Sequence, residues 1–143
     1  MVKTNSMRAW FLATRPKTLT GAIAPVLVGA AFAYASSGAV SMLMPFLLCL
    51  LFAVLMQIDA NLINDYFDFK KGTDREDRLG PERACAQGWI TPRAMQWGIG
   101  VMTALSCLVG IAILLVHMQW ELLLVGILCV VFCFLYTTRL SYL

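Results

Sequence analysis

Asn64, Asp65 and Asp68 open the run NDYFDFKKGTDREDRLGP, and a second DxxD pair, Asp74 and Asp77, follows nine residues on. Two carboxylates three residues apart, with an amide carbonyl beside them, are hard oxygen donors suited to Mg2+. That ion keeps several waters and is typically held by one or two carboxylates plus substrate phosphates. Lys70, Lys71, Arg75 and Arg78 lie in the same run and could neutralise the phosphate charge a metal leaves over. A DxxD pair alone arises by chance on any solvated helix face. Preceded by Gln57, Asn61 and Asn64 at intervals of three and four, it predicts a helix end that carries amides and then carboxylates on one face.

The elements that must position these residues follow from where charge is absent. The chain has 143 residues, 60% apolar and 13% charged, with a mean hydropathy of +0.77. Soluble domains are about half apolar and a quarter charged, so a soluble globular domain, a disordered chain and a disulfide scaffold are excluded. Thr18 to Ile58 contains no Asp, Glu, Lys or Arg, and Ala94 to Thr138 contains only Glu121. One span takes about 20 residues, so each stretch holds two. Weak points at Ser36-Ser37-Gly38 and at His117 to Glu121 divide them. The expectation is a single all-α polytopic domain over 1–143. Its four transmembrane helices, at about 18–36, 43–63, 94–116 and 120–138, form two hairpins joined by a charged loop at about 64–93. Gly72 would end the second helix, and Thr91-Pro92 reads as N-cap and first residue of the third. Gly21, Gly29, Gly98, Gly100 and Gly110 read as close-packing positions between helices.

All eleven basic residues fall on one side of this arrangement, and the hairpin tips carry none. The positive-inside rule makes that side cytoplasmic, so a multi-pass protein of the cell inner membrane is expected, its N-terminus and acidic loop inside. The net charge of +3 expresses these loops and not nucleic-acid binding. Five cysteines form no CxxC pair and read as reduced apolar packing. Seven of the eight acidic residues lie between Asp59 and Glu82, and charge gathered at a membrane boundary is a functional signal. A metal and bases at the mouth of an apolar bundle suit a substrate with a charged head and a greasy tail, such as an isoprenyl diphosphate.

NDYFDFKKGTDREDRLGP resembles the first aspartate-rich motif of the UbiA-type membrane prenyltransferases. Its KGxDxxDRxGP extension is similar to the branch that prenylates 1,4-dihydroxy-2-naphthoate in menaquinone synthesis, as is the opening WFLATRPKTLTGAIAPVLVG from Trp10 to Gly29. The resemblance runs from about Trp10 to Thr137. It implies the N-terminal part of a nine-helix bundle, and Mg2+-dependent transfer of a polyprenyl group from its diphosphate to an aromatic acceptor, dihydroxynaphthoate. Carried over position by position, Asn64, Asp65, Asp68 and Asp74 are the metal positions. Asp65 and Asp68 are catalytic, and Asn64, Lys70, Lys71 and Arg78 meet the diphosphate. Where benzoate-prenylating members have an acid four residues after the second aspartate, this chain has Gly72, which favours the naphthoate branch. The family's second aspartate motif has no counterpart, so a partial, C-terminally truncated copy is expected, whose half-built cation pocket loses much of its transition-state stabilisation. Prenyl chain length and oligomeric state leave no mark on the pattern.

Two other readings compete. A CDP-alcohol phosphotransferase needs a glycine soon after the second aspartate, and Phe69 stands there. A non-catalytic four-helix membrane protein binding divalent metal or anionic lipid would use the same charges without chemistry.

Overall fold

The structure, a computed structural model, describes residues 2–37, 43–72, 82–117 and 120–138. Five helices succeed one another: α1 (Met7–Ala13), α2 (Pro16–Ser37), α3 (Leu43–Lys71), α4 (Pro92–His117) and α5 (Glu121–Thr138). No strand occurs among the described residues. Pro16–Ser36, α3 and Pro92–Val116 are long and apolar enough to cross a membrane, and Glu121–Leu135 is a shorter apolar helix. The chain is a polytopic helical membrane protein.

The helix ends obey local chemistry. The Ala94 amide donates to Thr91 Oγ1 at 3.4 Å, so Thr91 caps α4 and Pro92 begins it, as its missing N–H allows. Gly72, at φ 66°, takes the left-handed conformation that ends α3. α1 has no periodic signature in the sequence. Seven residues are too few for periodicity to register, but Ser6 accepts from the Ala9 amide at 3.2 Å as its N-cap. The helix ends because the residue before a proline avoids the α region. Arg15, before Pro16, sits at φ 51° and turns the chain from α1 into α2.

α3 is the hub and packs on α4, α2, α5 and α1. Its register with α4 is antiparallel: Gln96 meets Tyr66, Thr103 meets Asp59, and Gly110 faces Phe52. At 29 residues α3 is about 43 Å long, against a hydrocarbon core of about 30 Å. The surplus carries its acidic end out of the apolar layer. Burial is concentrated at that charged end. Ala9 and Ala13 of α1, Leu62 and Ile63 of α3, Ala84, Cys85 and Ile90 of the connection, and Met95 and Ile99 of α4 form the core. Among its described side chains α2 contributes no buried residue.

The glycines divide. A Cβ at Gly21, Gly29 or Gly100 would meet nothing within 4 Å, so these are not the close-packing positions expected. They lie on faces to which the described helices bring no neighbour. At Gly98 a Cβ would come within 2.6 Å of the Trp10 ring, so this glycine lets the indole lie against α4. Gly98→Ala should displace Trp10 and cost about 1–3 kcal/mol, as overpacking does. A lower unfolding midpoint in detergent, with a change in indole emission that vanishes in a Trp10→Phe background, is the expected result.

Candidate functional site

Spacings of three and four keep Gln57, Asn64 and Asp68 on one face of α3, while Asn61 and Asp65 beside them reach other neighbours. The Asn61 amide donates to the Thr14 carbonyl and to Thr18 Oγ1, both at 2.9 Å, and ties α3 to the α1–α2 break. Asn64 lines a groove of about 450 Å³ between α3 and α5, with Phe52, Met56, Gln57 and Ala60 above it and Cys129 and Cys133 opposite. Asp65 turns away from this groove. It is 1% exposed, and its Oδ2 and Oδ1 accept the Ala84 and Cys85 amides at 2.7 and 3.0 Å. Asp68, one turn beyond Asn64 on the same face, forms an ion pair with Arg83.

The segment that meets Asp65 is a single closed turn. Gln87 donates to the Arg83 carbonyl at 2.9 Å and Gly88 to Cys85 at 3.1 Å. Trp89 then donates back to Ala84 at 2.8 Å, past Gly88 at φ 68°. The first amides of any such turn lack partners within it. Here they find a carboxylate on another element, a charge-assisted version of a helix cap. The N-terminal segment closes the other side. The Asn5 amide donates to the Trp89 carbonyl at 2.8 Å, its Oδ1 accepts from the Thr91 amide at 3.1 Å, and Thr4 Oγ1 donates to Gly88 at 3.2 Å.

Lys70 is exposed and Lys71 half-buried at the C-terminal end of α3, where the helix dipole favours cations. Asp74, Asp77, Arg75 and Arg78 lie outside the described residues. Two residues to which the sequence pattern assigns no role gain importance. Arg83 holds Asp68, and only its place in the charged loop hinted at this. Asp59 is 1% exposed. Its Oδ2 accepts from Thr103 Oγ1 at 2.6 Å, and its Oδ1 has no partner among the described residues.

Among the described residues no three His, Cys, Asp or Glu side chains converge. A magnesium ion does not need three, since one or two carboxylates with waters and phosphate oxygens suffice. Asn64 and Asp68 offer oxygen donors on the groove face, and each Asp65 oxygen keeps a lone pair beyond its amide. The donor set fits such an ion. A second groove of about 640 Å³, between α1, α3 and α4, is lined by Trp10, Ile58, Leu62, Trp97 and Met102 and carries no charged group.

The sequence profile of the UbiA prenyltransferase family matches residues 22–143. The chain is 42% identical over 109 residues to the 1,4-dihydroxy-2-naphthoate octaprenyltransferase of Escherichia coli (strain K12), a match covering 76% of this chain and 35% of that protein. It is 38% identical over 132 residues to the Mycobacterium tuberculosis protein of the same name, covering 92% of this chain and 44% of its relative. The UbiA prenyltransferase domain-containing protein 1 of Danio rerio is 31% identical over 100 residues, 70% of this chain and 29% of that one. The chain therefore spans less than half the length of these relatives. No solved structure matches it.

Proposed function

The chain belongs to the UbiA prenyltransferase family, and from that premise we propose that it supplies the first aspartate site of an enzyme transferring a polyprenyl group from its diphosphate to 1,4-dihydroxy-2-naphthoate. The observation that carries this reading is the pairing of Asn64, which lines the α3–α5 groove, with Asp68 one turn further along the same face. An apolar groove that ends on oxygen donors suits a prenyl tail and its diphosphate. The names of the Escherichia coli and Mycobacterium tuberculosis relatives supply the acceptor. The basic residues gathered at this end orient it to the cytoplasm of the inner membrane.

Phe52, Met56 and Ala60 hold the tail and exclude water from it. Asn64, Asp65 and Asp68, with Asp74 beyond the described residues, are the groups that would hold Mg2+. When bound, the ion neutralises charge on the departing diphosphate. Lys70, Lys71 and Arg78 draw the diphosphate to the mouth. The allylic C–O bond breaks, the electron pair leaves with the diphosphate, and a ring carbon of the acceptor forms the new C–C bond. The acceptor then restores its aromatic ring by losing carbon dioxide from the attacked carbon. Asp65 holds the Ala84–Cys85 turn against the site throughout.

The test is a chimera in which this chain replaces the matching segment of the Escherichia coli relative, assayed in membranes with octaprenyl diphosphate. Prenylated naphthoquinol should form with Mg2+, with release of carbon dioxide, and disappear in EDTA. A chimera that folds but prenylates 4-hydroxybenzoate and leaves dihydroxynaphthoate untouched would overturn the assignment.

A further inference from the structure

Arg83 stands on the Asp68 carboxylate, where the proposed function needs a divalent cation. The pair is well shielded, with side chains 9% and 14% exposed. Asp68 cannot serve the guanidinium and a magnesium ion at full strength together, because both compete for the same oxygen lone pairs. Nor can Arg83 move far once displaced. The next residue, Ala84, has its amide on Asp65 Oδ2, and the Arg83 carbonyl is held by the Gln87 amide. Its backbone is fixed beside the site, and only the side chain swings.

We infer that Arg83 is an internal stand-in for the metal, which leaves Asp68 when a metal–diphosphate enters and turns its guanidinium onto the diphosphate oxygens. This deepens the proposed function and rests on its metal assignment. A planar guanidinium serves both positions, because its fork of N–H donors matches carboxylate and phosphate alike. The consequence is a binding order. Metal alone must part Arg83 from Asp68, and breaking a shielded pair is costly. Metal arriving with diphosphate brings the replacement anion. Each ligand thus strengthens the other, and the coupling is reciprocal. The site stays charge-paired without substrate, and free cations are turned away.

The test measures Mn2+ binding by electron paramagnetic resonance on the 143-residue chain in detergent micelles, with and without inorganic pyrophosphate. In the unaltered chain, pyrophosphate should tighten Mn2+ binding by about tenfold or more, the range of ordinary coupling between sites. Arg83→Gln should bind Mn2+ alone about tenfold more tightly while losing most of the pyrophosphate effect, the opposite signs expected of a competitor that is also an anion ligand. Arg83→Lys keeps the charge if the glutamine variant does not fold. It should bind Mn2+ alone as the unaltered chain does and lose part of the pyrophosphate effect, because an ammonium cannot make the bidentate contact. An unchanged pyrophosphate effect in both variants, or an unchanged Mn2+ affinity in a folded Arg83→Gln, overturns the inference. The metal assignment fails separately, if Asp68→Ala leaves Mn2+ binding as it was.

Discussion

Asp65→Asn should loosen the connection between α3 and α4 and leave the helices themselves largely formed. The carboxylate accepts two buried backbone amides. An asparagine in the same place has one carbonyl oxygen for one of them and turns an NH2 toward the other. One donor is then stranded, and its partner loses the charge that strengthened it. Bonds to charged groups contribute about 1.5–3 kcal/mol, and a stranded buried donor costs a similar amount, so a loss of about 3 kcal/mol is expected. Hydrogen exchange is the sensitive readout. The Ala84 and Cys85 amides should exchange on the order of 100-fold faster, because opening of this turn becomes local. Amides in the middle of α4 should change little. Equal acceleration along α4 would mean that Asp65 supports the whole bundle and not the turn.

Asp68→Ala should give the reverse division in the chimeric enzyme. Asp68 lies at the shielded edge of the site with Arg83. If it holds the metal against the leaving diphosphate, its loss should lower kcat by at least about 100-fold, the scale on which single electrostatic groups at developing charge act. The Ala84 and Cys85 amides should keep their protection. Lowering the assay temperature separates the two aspartates. In Asp65→Asn the Ala84 and Cys85 amides regain protection as the turn closes, whereas the activity of Asp68→Ala does not recover. Recovery of Asp68→Ala in the cold would move it from chemistry to packing.

What the sequence disclosed, and what it withheld, follows from the range of the forces involved. The charge-free stretches revealed the long helices because a bilayer imposes its thickness on composition. Thr91, Pro92 and Gly72 marked helix ends because caps act within a few residues. The continuation of α3 into the acidic run was visible for the same reason. The separate tasks of Asn64 and Asp65 were not visible. They differ by one residue and 100° of rotation, and their neighbours are chosen by a turn some twenty residues away and by α5. Arg83 was hidden likewise, since nothing local says which of six nearby basic residues will close on Asp68. The glycines misled because a missing side chain looks the same whether an indole fills the gap, as at Gly98, or nothing does, as at Gly29.

The two amides held by Asp65 also bear on the order of assembly. During synthesis the carboxylate leaves the ribosome ahead of Ala84 and Cys85, which lie 19 and 20 positions later in the chain. At ordinary rates of elongation that interval is on the order of 1–4 s. Through it, Asp65 carries a full charge with no amide to accept. A charged group at the end of an inserting segment resists being drawn into hydrocarbon, so the wait itself holds the end of α3 in water. The turn then arrives, covers the charge, and meets the N-terminal segment waiting at Asn5. One side chain is first a stop to insertion and afterwards the seat of a turn.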